Sequence, residues 1–127
     1  MKVLINGCFD ILHRGHLHLI NIAWQYGDVI AAVDTDESVR ELKGPGRPVN
    51  PLAVRISYLR RHVRQTIPFH HNNYRALVEK LKPDYIITGD DHDYDDVRQL
   101  AGDGPEIILV PRYNDLSTTR IINGQAH

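Results

Sequence analysis

Residues 6–20 read NGCFDILHRGHLHLI. The segment overlaps KVLIN (2–6), whose apolar run at that length reads as a buried strand. Farther on, Leu17, Ile20 and Trp24 recur at helical spacing, which predicts a helix over Leu17–Tyr26. The segment is therefore a strand-to-helix turn, and it carries three histidines, His13, His16 and His18, with Gly15 between the first two. Three uses are open to imidazoles in that place: metal ligation, packing, or action on a ligand. Metal ligation lacks the HExxH pattern and the cysteine cluster of a zinc site, even with the acidic stretch GDDHDYDD (89–96) as a source of oxygen donors. Packing is the default for a lone histidine. A glycine between two of them at a strand-to-helix turn instead lets a ligand approach the backbone, and the helix that follows offers free amides to an anion. Two imidazoles donating to the oxygens of one phosphate stabilise the charge that builds as an attacking oxygen adds. Such a reaction needs alignment and charge neutralisation rather than a covalent intermediate.

The same alternation continues outward. VIAAV (29–33) reads as a second strand, and Asp36 or Thr35 can cap a short helix running to Leu42. KGPGRPVNP (43–51) holds two glycines and three prolines and is predicted as a loop. Leu52–Val63 reads as a helix, Thr66–Phe69 as a weak strand and Asn73–Leu81 as a helix stopped by Lys82-Pro83. DYIIT (84–88) is a strand, GDDHDYDD an acidic loop leading to a short helix, and EIILV (106–110) the last clear strand. Ser117 is placed to cap a closing helix through Ile122. Alternating strands and helices predict one α/β domain over 1–127, a Rossmann-like three-layer sandwich. Its parallel sheet has about five strands and helices on both faces. Ligands of such sheets sit beyond the carboxyl ends of the strands, where the strand order reverses. The loops at 7–16, 89–96 and 111–117 all follow strands, so they share that edge.

Composition narrows the function. With 127 residues, 15 Lys and Arg against 16 Asp and Glu, and net charge −1, there is no general pull toward nucleic acid or an acidic membrane. Any anion site must be a local concentration of positive groups. The one cysteine, Cys8, cannot form an internal disulfide, no signal peptide is legible and no apolar run reaches membrane-spanning length. A soluble, cytoplasmic protein is expected.

GCFDILHRGH (7–16) strongly resembles the G-(T/C)-F-D-x-x-H-x-G-H signature of the cytidylyltransferase-like nucleotidyltransferases, and PRYNDLSTTRI (111–121) resembles their second signature, R-x-x-x-(I/L)-S-T-T. Both motifs fall in order at the two ends of the chain. The resemblance implies that a phosphate oxygen of an acceptor attacks the α-phosphate of a nucleoside triphosphate and that pyrophosphate leaves with a divalent cation, Mg2+ or another. It implies His13 and His16 at the α-phosphate and Lys43 as a mobile charge from the glycine-proline loop. Ser117, Thr118 and Thr119 would grip the β- and γ-phosphates, with Arg112 nearby. Gly7, Cys8, Phe9 and Asp10 would line the nucleotide site, Gly7 by letting the chain pass close and Phe9 by packing. Gly89 and Asp91 join them from the acidic loop. Arg55 matches an arginine implied to contact phosphate of the acceptor or nucleotide. No protein metal ligand is implied beyond Asp10; the cation arrives on the phosphates. The cysteine side chain itself, His18 and His70-His71 are read as structural or surface groups. Homodimers are usual in the family.

Base and acceptor divide the clues. NGCFDILHRGH with ELKGPGRPVNPLAVR (41–55) looks most like the adenylyltransferase domain of the bacterial bifunctional heptose enzyme. TGDDHDYDD and PRYNDLSTT look more like glycerol-3-phosphate cytidylyltransferase. The long match over 41–55 favours ATP and a heptose 1-phosphate-like acceptor. One departure stands out: the Val-Asp pair that both relatives carry after the helix beyond Arg55 is replaced by Val63-Arg64-Gln65-Thr66, which puts the acceptor pocket and the subunit contact in question. Rival classes are a nucleotide sensor without turnover, a tRNA-related nucleic-acid binder, and adenylyl transfer to a cofactor precursor. The retained histidines, the missing basic arm and the signature itself argue against them in that order.

Overall fold

In the computed structural model, which describes residues 1–111, the chain begins with β1 (Lys2–Gly7), where Val3, Leu4 and Ile5 are all fully buried. A strand with three consecutive buried side chains is covered on both faces, as the centre of a parallel sheet requires. It is followed by α1 (Arg14–Trp24), β2 (Asp28–Asp34), α2 (Asp36–Lys43), α3 (Leu52–Leu59), β3 (Gln65–Phe69), a 3-10 turn at His71–Asn73, α4 (Tyr74–Leu81), β4 (Tyr85–Gly89), α5 (Tyr94–Ala101) and β5 (Glu106–Val110). The strands form one five-stranded sheet in the order β3-β2-β1-β4-β5, and every neighbouring pair is parallel. β1 pairs with β2 from Lys2↔Asp28 to Gly7↔Val33, and with β4 through Val3↔Tyr85 and Leu4↔Ile86.

Two apolar layers cover the sheet. On one face Ile20 and Ala23 of α1 and Leu59 of α3 pack on Val3, Ile5, Val29 and Val33. On the other, Tyr74 and Val78 of α4 and Ala101 of α5 pack on Leu4, Ile30, Ile86 and Ile107. The expected three-layer α/β sandwich is thus the observed one. β3 lies at a sheet edge, where its Pro68 removes no ladder bond on the outer side. Among the described residues no helix is long and apolar enough to cross a membrane.

The strands run within one or two residues of their expected bounds, and the helices differ more. α1 starts at Arg14 rather than Leu17, because the His13 side chain caps it. α3 stops at Leu59 rather than Val63, because the chain turns at Arg60 and the Arg64 amide already donates to the Val29 carbonyl ahead of β3. α5 begins at Tyr94, inside the stretch read as acidic loop, with Asp95 and Asp96 in its first turn, where carboxylates favour the positive end of the helix dipole. The helix expected after Ser117 lies outside the described residues.

The sheet order fixes where a ligand belongs. The chain leaves β1 for β2 and β3 on one side, then returns to β4 and β5 on the other. The connections after β1 and β4 therefore diverge and open a crevice at the carboxyl edge, between the two strands that carry NGCFD and GDD.

Candidate active site

The crevice begins where β1 runs out at Gly7. Phe9 follows in the left-handed region at φ 51, a conformation that costs a non-glycine residue about 1–2 kcal/mol. It is held there by burial: Phe9 is 4% exposed, and its ring packs tilted against His16 at a centroid distance of 5.4 Å. The same ring lies over Gly7, where an added Cβ would sit 3.5 Å from it, so Gly7 and Phe9 form one packing unit.

At the helix entry, backbone amides fix the ring nitrogens of the two signature histidines. His13 has extended backbone and is the N-cap of α1. Its Nδ1 accepts from the Gly15 amide at 3.0 Å, and the His16 Nδ1 accepts from the His13 amide at 3.3 Å. The arrangement is a reciprocal capping box with imidazoles in place of the usual hydroxyl and carboxylate. The rings stack at 3.9 Å between centroids and 26° between planes. A nitrogen that accepts an N–H carries no proton, so each neutral ring keeps its hydrogen on Nε2. The pair is a set of two donors. Burial first, then the neighbouring His13 ring and Lys43, depress His16 to about 4, so it is neutral near pH 7. Gly15 is required by this packing: a Cβ there would meet His13 Cε1 at 2.9 Å and Nδ1 at 3.1 Å.

Around these donors lies a cleft of about 400 Å³. Of the expected residues, Gly7, Cys8, Phe9, His13, His16 and Lys43 line it from the β1 side, and Gly89 and Asp91 from the β4 side. Lys43 is the exposed last residue of α2. Burial pushes the Cys8 thiol up, and although Lys43 and Arg55 pull the other way the net shift is upward, so Cys8 stays protonated near pH 7 and offers no nucleophile. His18, read as structural or surface, and Asn6, Thr88 and His92, which the sequence did not single out, also line the cleft. The His92 signal was present in GDDHDYDD; the pairing of β4 beside β1 makes it visible. Arg112, Ser117, Thr118 and Thr119 lie outside the described residues.

Two expected residues face elsewhere. Asp10 is buried, and its carboxylate accepts from the amides of Val49 and Asn50, each at 2.8 Å, and from Arg47 Nε at 3.4 Å. Burial alone would raise this carboxyl, but the two amides and the guanidinium outweigh it and hold the group below the usual carboxylate range. Asn50 Nδ2 returns a bond to the Asp10 carbonyl at 2.7 Å. Asp10 thus braces the loop between Gly44 and Pro51. Arg55, implied by the resemblance to contact substrate phosphate, is 0% exposed and turned to internal partners. Its guanidinium donates to the carbonyls of Asn50, Cys8 and Asp34 at 2.9, 2.8 and 2.7 Å and to Asp36 Oδ1 at 2.7 Å. It ties the ends of β1 and β2, the start of α2 and the proline-rich loop to one point, from inside.

The same geometry tests the divalent cation. Asp10 is buried, does not line the cleft and spends both oxygens on the Val49 and Asn50 amides, so it presents no oxygen there to a magnesium ion. Asp91 is the acid lining the cleft among the described residues, and one carboxylate does not make a cage.

At this switch-point cleft, paired Nε2–H donors and a lysine face a ligand with groups that suit an anion. Residues 4–124 match the cytidylyltransferase-like family. The chain belongs to that family. Its cytidylyltransferase-like domain is accordingly a nucleotidyltransferase. The chain is 40% identical to the bifunctional protein HldE of Vibrio vulnificus strain YJ016 over 127 residues, covering 95% of this chain and 27% of the relative. It is 39% identical to the HldE of Alcanivorax borkumensis over 126 residues, covering 94% and 26%. The chain therefore spans about a quarter of the length of these relatives. Among solved structures, a lipopolysaccharide core biosynthesis protein from Thermoplasma volcanium GSS1 superposes with a TM-score of 0.78 at 25% identity, covering 89% of this chain and 98% of that one.

Proposed function

We propose that this cytidylyltransferase-like domain transfers AMP from ATP to a sugar phosphate of the heptose 1-phosphate kind and releases pyrophosphate. The observation that carries the reading is the pair of Nε2–H donors fixed by the His13–His16 capping box beside Lys43. A phosphate oxygen of the acceptor attacks the α-phosphorus. The new P–O bond forms as the bond to the β-phosphate oxygen breaks, and the electron pair leaves with pyrophosphate. Charge rises on the non-bridging α-oxygens, and His13 and His16 donate to them. Fixed donors of this type are worth about 2.7–4 kcal/mol each when aimed at developing charge. Lys43 offsets the negative charge of the triphosphate. A divalent cation, Mg2+ in this reading, would be held by the nucleotide's phosphates and would offset part of their charge. Arg112, Ser117, Thr118 and Thr119 take the β- and γ-phosphates, and Gly89 and Asp91 border the nucleotide from the β4 side. The similarity to HldE over nearly the whole chain supports ATP and a sugar acceptor, and a cytoplasmic homodimer is the expected state of the enzyme.

The acidic GDDHDYDD segment favours a second reading, CTP with glycerol 3-phosphate. Melting temperatures with ATP and with CTP, each with magnesium, separate the two, because a ligand of the folded state raises the transition. Pyrophosphate release with heptose 1-phosphate or glycerol 3-phosphate then identifies the acceptor. A shift with ATP and turnover with the sugar phosphate is the expected result. A shift with CTP alone moves the assignment to the polyol, and a shift without turnover on either acceptor favours a nucleotide sensor.

A further inference from the structure

Away from the cleft, the connection between β3 and α4 presents two adjacent imidazoles to one carboxylate. His70 Nε2 and His71 Nε2 each lie 2.9 Å from the same Glu41 oxygen, and the three ligand atoms all fall within 4.8 Å of one another. The rings are stacked at 4.4 Å between centroids, and both Nε2 atoms reach the same oxygen. Glu37, one turn earlier on α2, brings an oxygen to 3.8 Å from His70 Nε2. The side chains are 17% (His70), 31% (His71) and 47% (Glu41) exposed: formed in place, yet open to solvent. We infer that Glu41, His70 and His71, with Glu37 at the rim, form a binding site for a divalent transition cation such as zinc, nickel or cobalt.

Donors on a metal with bonds of about 2.1 Å are separated by about 2.9–3.4 Å, so small side-chain adjustments suffice. Two imidazoles and one carboxylate select these ions over magnesium or calcium, which take oxygen ligands. The site is therefore chemically distinct from any cation that travels with nucleotide phosphates. It carries one built-in cost. His70 Nδ1 accepts from the Asn72 amide at 3.1 Å, which places the proton of the neutral ring on Nε2. Ligation through Nε2 moves that proton to Nδ1 and gives up the cap. The Asn72 bond is exposed, so water replaces it, and the penalty is a factor of about ten or less in affinity. A bound ion would pin the last turn of α2, two residues before Lys43, to the turn between β3 and α4.

The test is a cobalt(II) titration of the full chain followed by visible absorption, with zinc displacing cobalt and magnesium as the control. We expect one equivalent bound with a Kd of about 10 μM or tighter and no displacement by millimolar magnesium. Glu41→Gln, which keeps an acceptor for His71, and His71→Ala should each weaken binding by about tenfold or more while melting like the parent chain. Failure of the parent to bind cobalt or zinc below about 1 mM overturns the site. So does unchanged affinity in both variants, which would assign the ion to the cleft histidines instead.

Discussion

Replacing Gly15 with alanine separates the catalytic geometry from the stability of the fold. The new Cβ would lie 2.9 Å from His13 Cε1 and 3.1 Å from Nδ1. Carbon atoms rest at about 3.5–4.0 Å, so the ring must retreat by about 0.6 Å or more. That retreat stretches the Gly15 amide bond to His13 Nδ1 from 3.0 Å to beyond hydrogen-bond range. Loss of the cap costs about 1 kcal/mol, and alanine in place of glycine within a helix returns about the same amount. The melting temperature should therefore stay within about 5 °C of the parent. Turnover should not. A donor displaced by about half an ångström no longer meets the α-phosphate oxygen in the transition state, a loss of about 30–100-fold in kcat. The assay is pyrophosphate release at saturating nucleotide and acceptor, with nucleotide KM measured alongside. A kcat within about threefold of the parent would refute the assignment of His13 as an aligned donor. A large fall in melting temperature would refute the idea that the imidazole, rather than the helix, gives way.

Three further outcomes follow from the same contacts. Arg55→Met leaves the carbonyls of Cys8, Asp34 and Asn50 without their donor and should cost about 3–5 kcal/mol in chemical denaturation; a change in acceptor KM with stability intact would restore a phosphate contact instead. His16, held to about 4 mainly by burial, should titrate there in proton NMR. Its unfolded ring protonates at a higher pH than its folded one, so its contribution to stability is complete above about pH 6.5 and falls as the pH drops toward about 4. With the ring facing an open cleft the loss is on the order of 1–2 kcal/mol, and a parent-minus-His16→Ala stability difference that stays flat between pH 7 and 4 contradicts it. Lys43→Ala, at an exposed helix end, should leave the melting temperature unchanged and reduce turnover by about tenfold or more; unchanged turnover removes Lys43 from the reaction.

The strands were legible because a central parallel strand leaves a contiguous apolar run, as in Val3-Leu4-Ile5, and its ends fall where polar residues resume. Helix ends were less so. His13 caps α1 with a ring nitrogen, which the usual serine, threonine and aspartate signals do not cover. That His13, His16 and Gly89 line one cleft was legible because their motifs follow the two strands that the sheet order sets side by side; Lys43 joins them from the end of α2. The internal partners of Asp10 and Arg55 were not legible for a physical reason: most are main-chain groups, at Val49 and Asn50 for the one and at Cys8, Asp34 and Asn50 for the other. Backbone amides and carbonyls look the same at every position in a sequence. A charged side chain bound to them is indistinguishable there from one that waits for substrate.

The bonds that set both ring tautomers close entirely within His13, Gly15 and His16. Four consecutive residues therefore work as a self-contained cassette, whose chemistry does not depend on the far walls of the crevice. Substitutions in those walls can exchange one acceptor for another without re-tuning the donors. A change of specificity in this scaffold should then be sought in the surroundings of Asn6, Thr88 and His92 rather than in the helix entry itself.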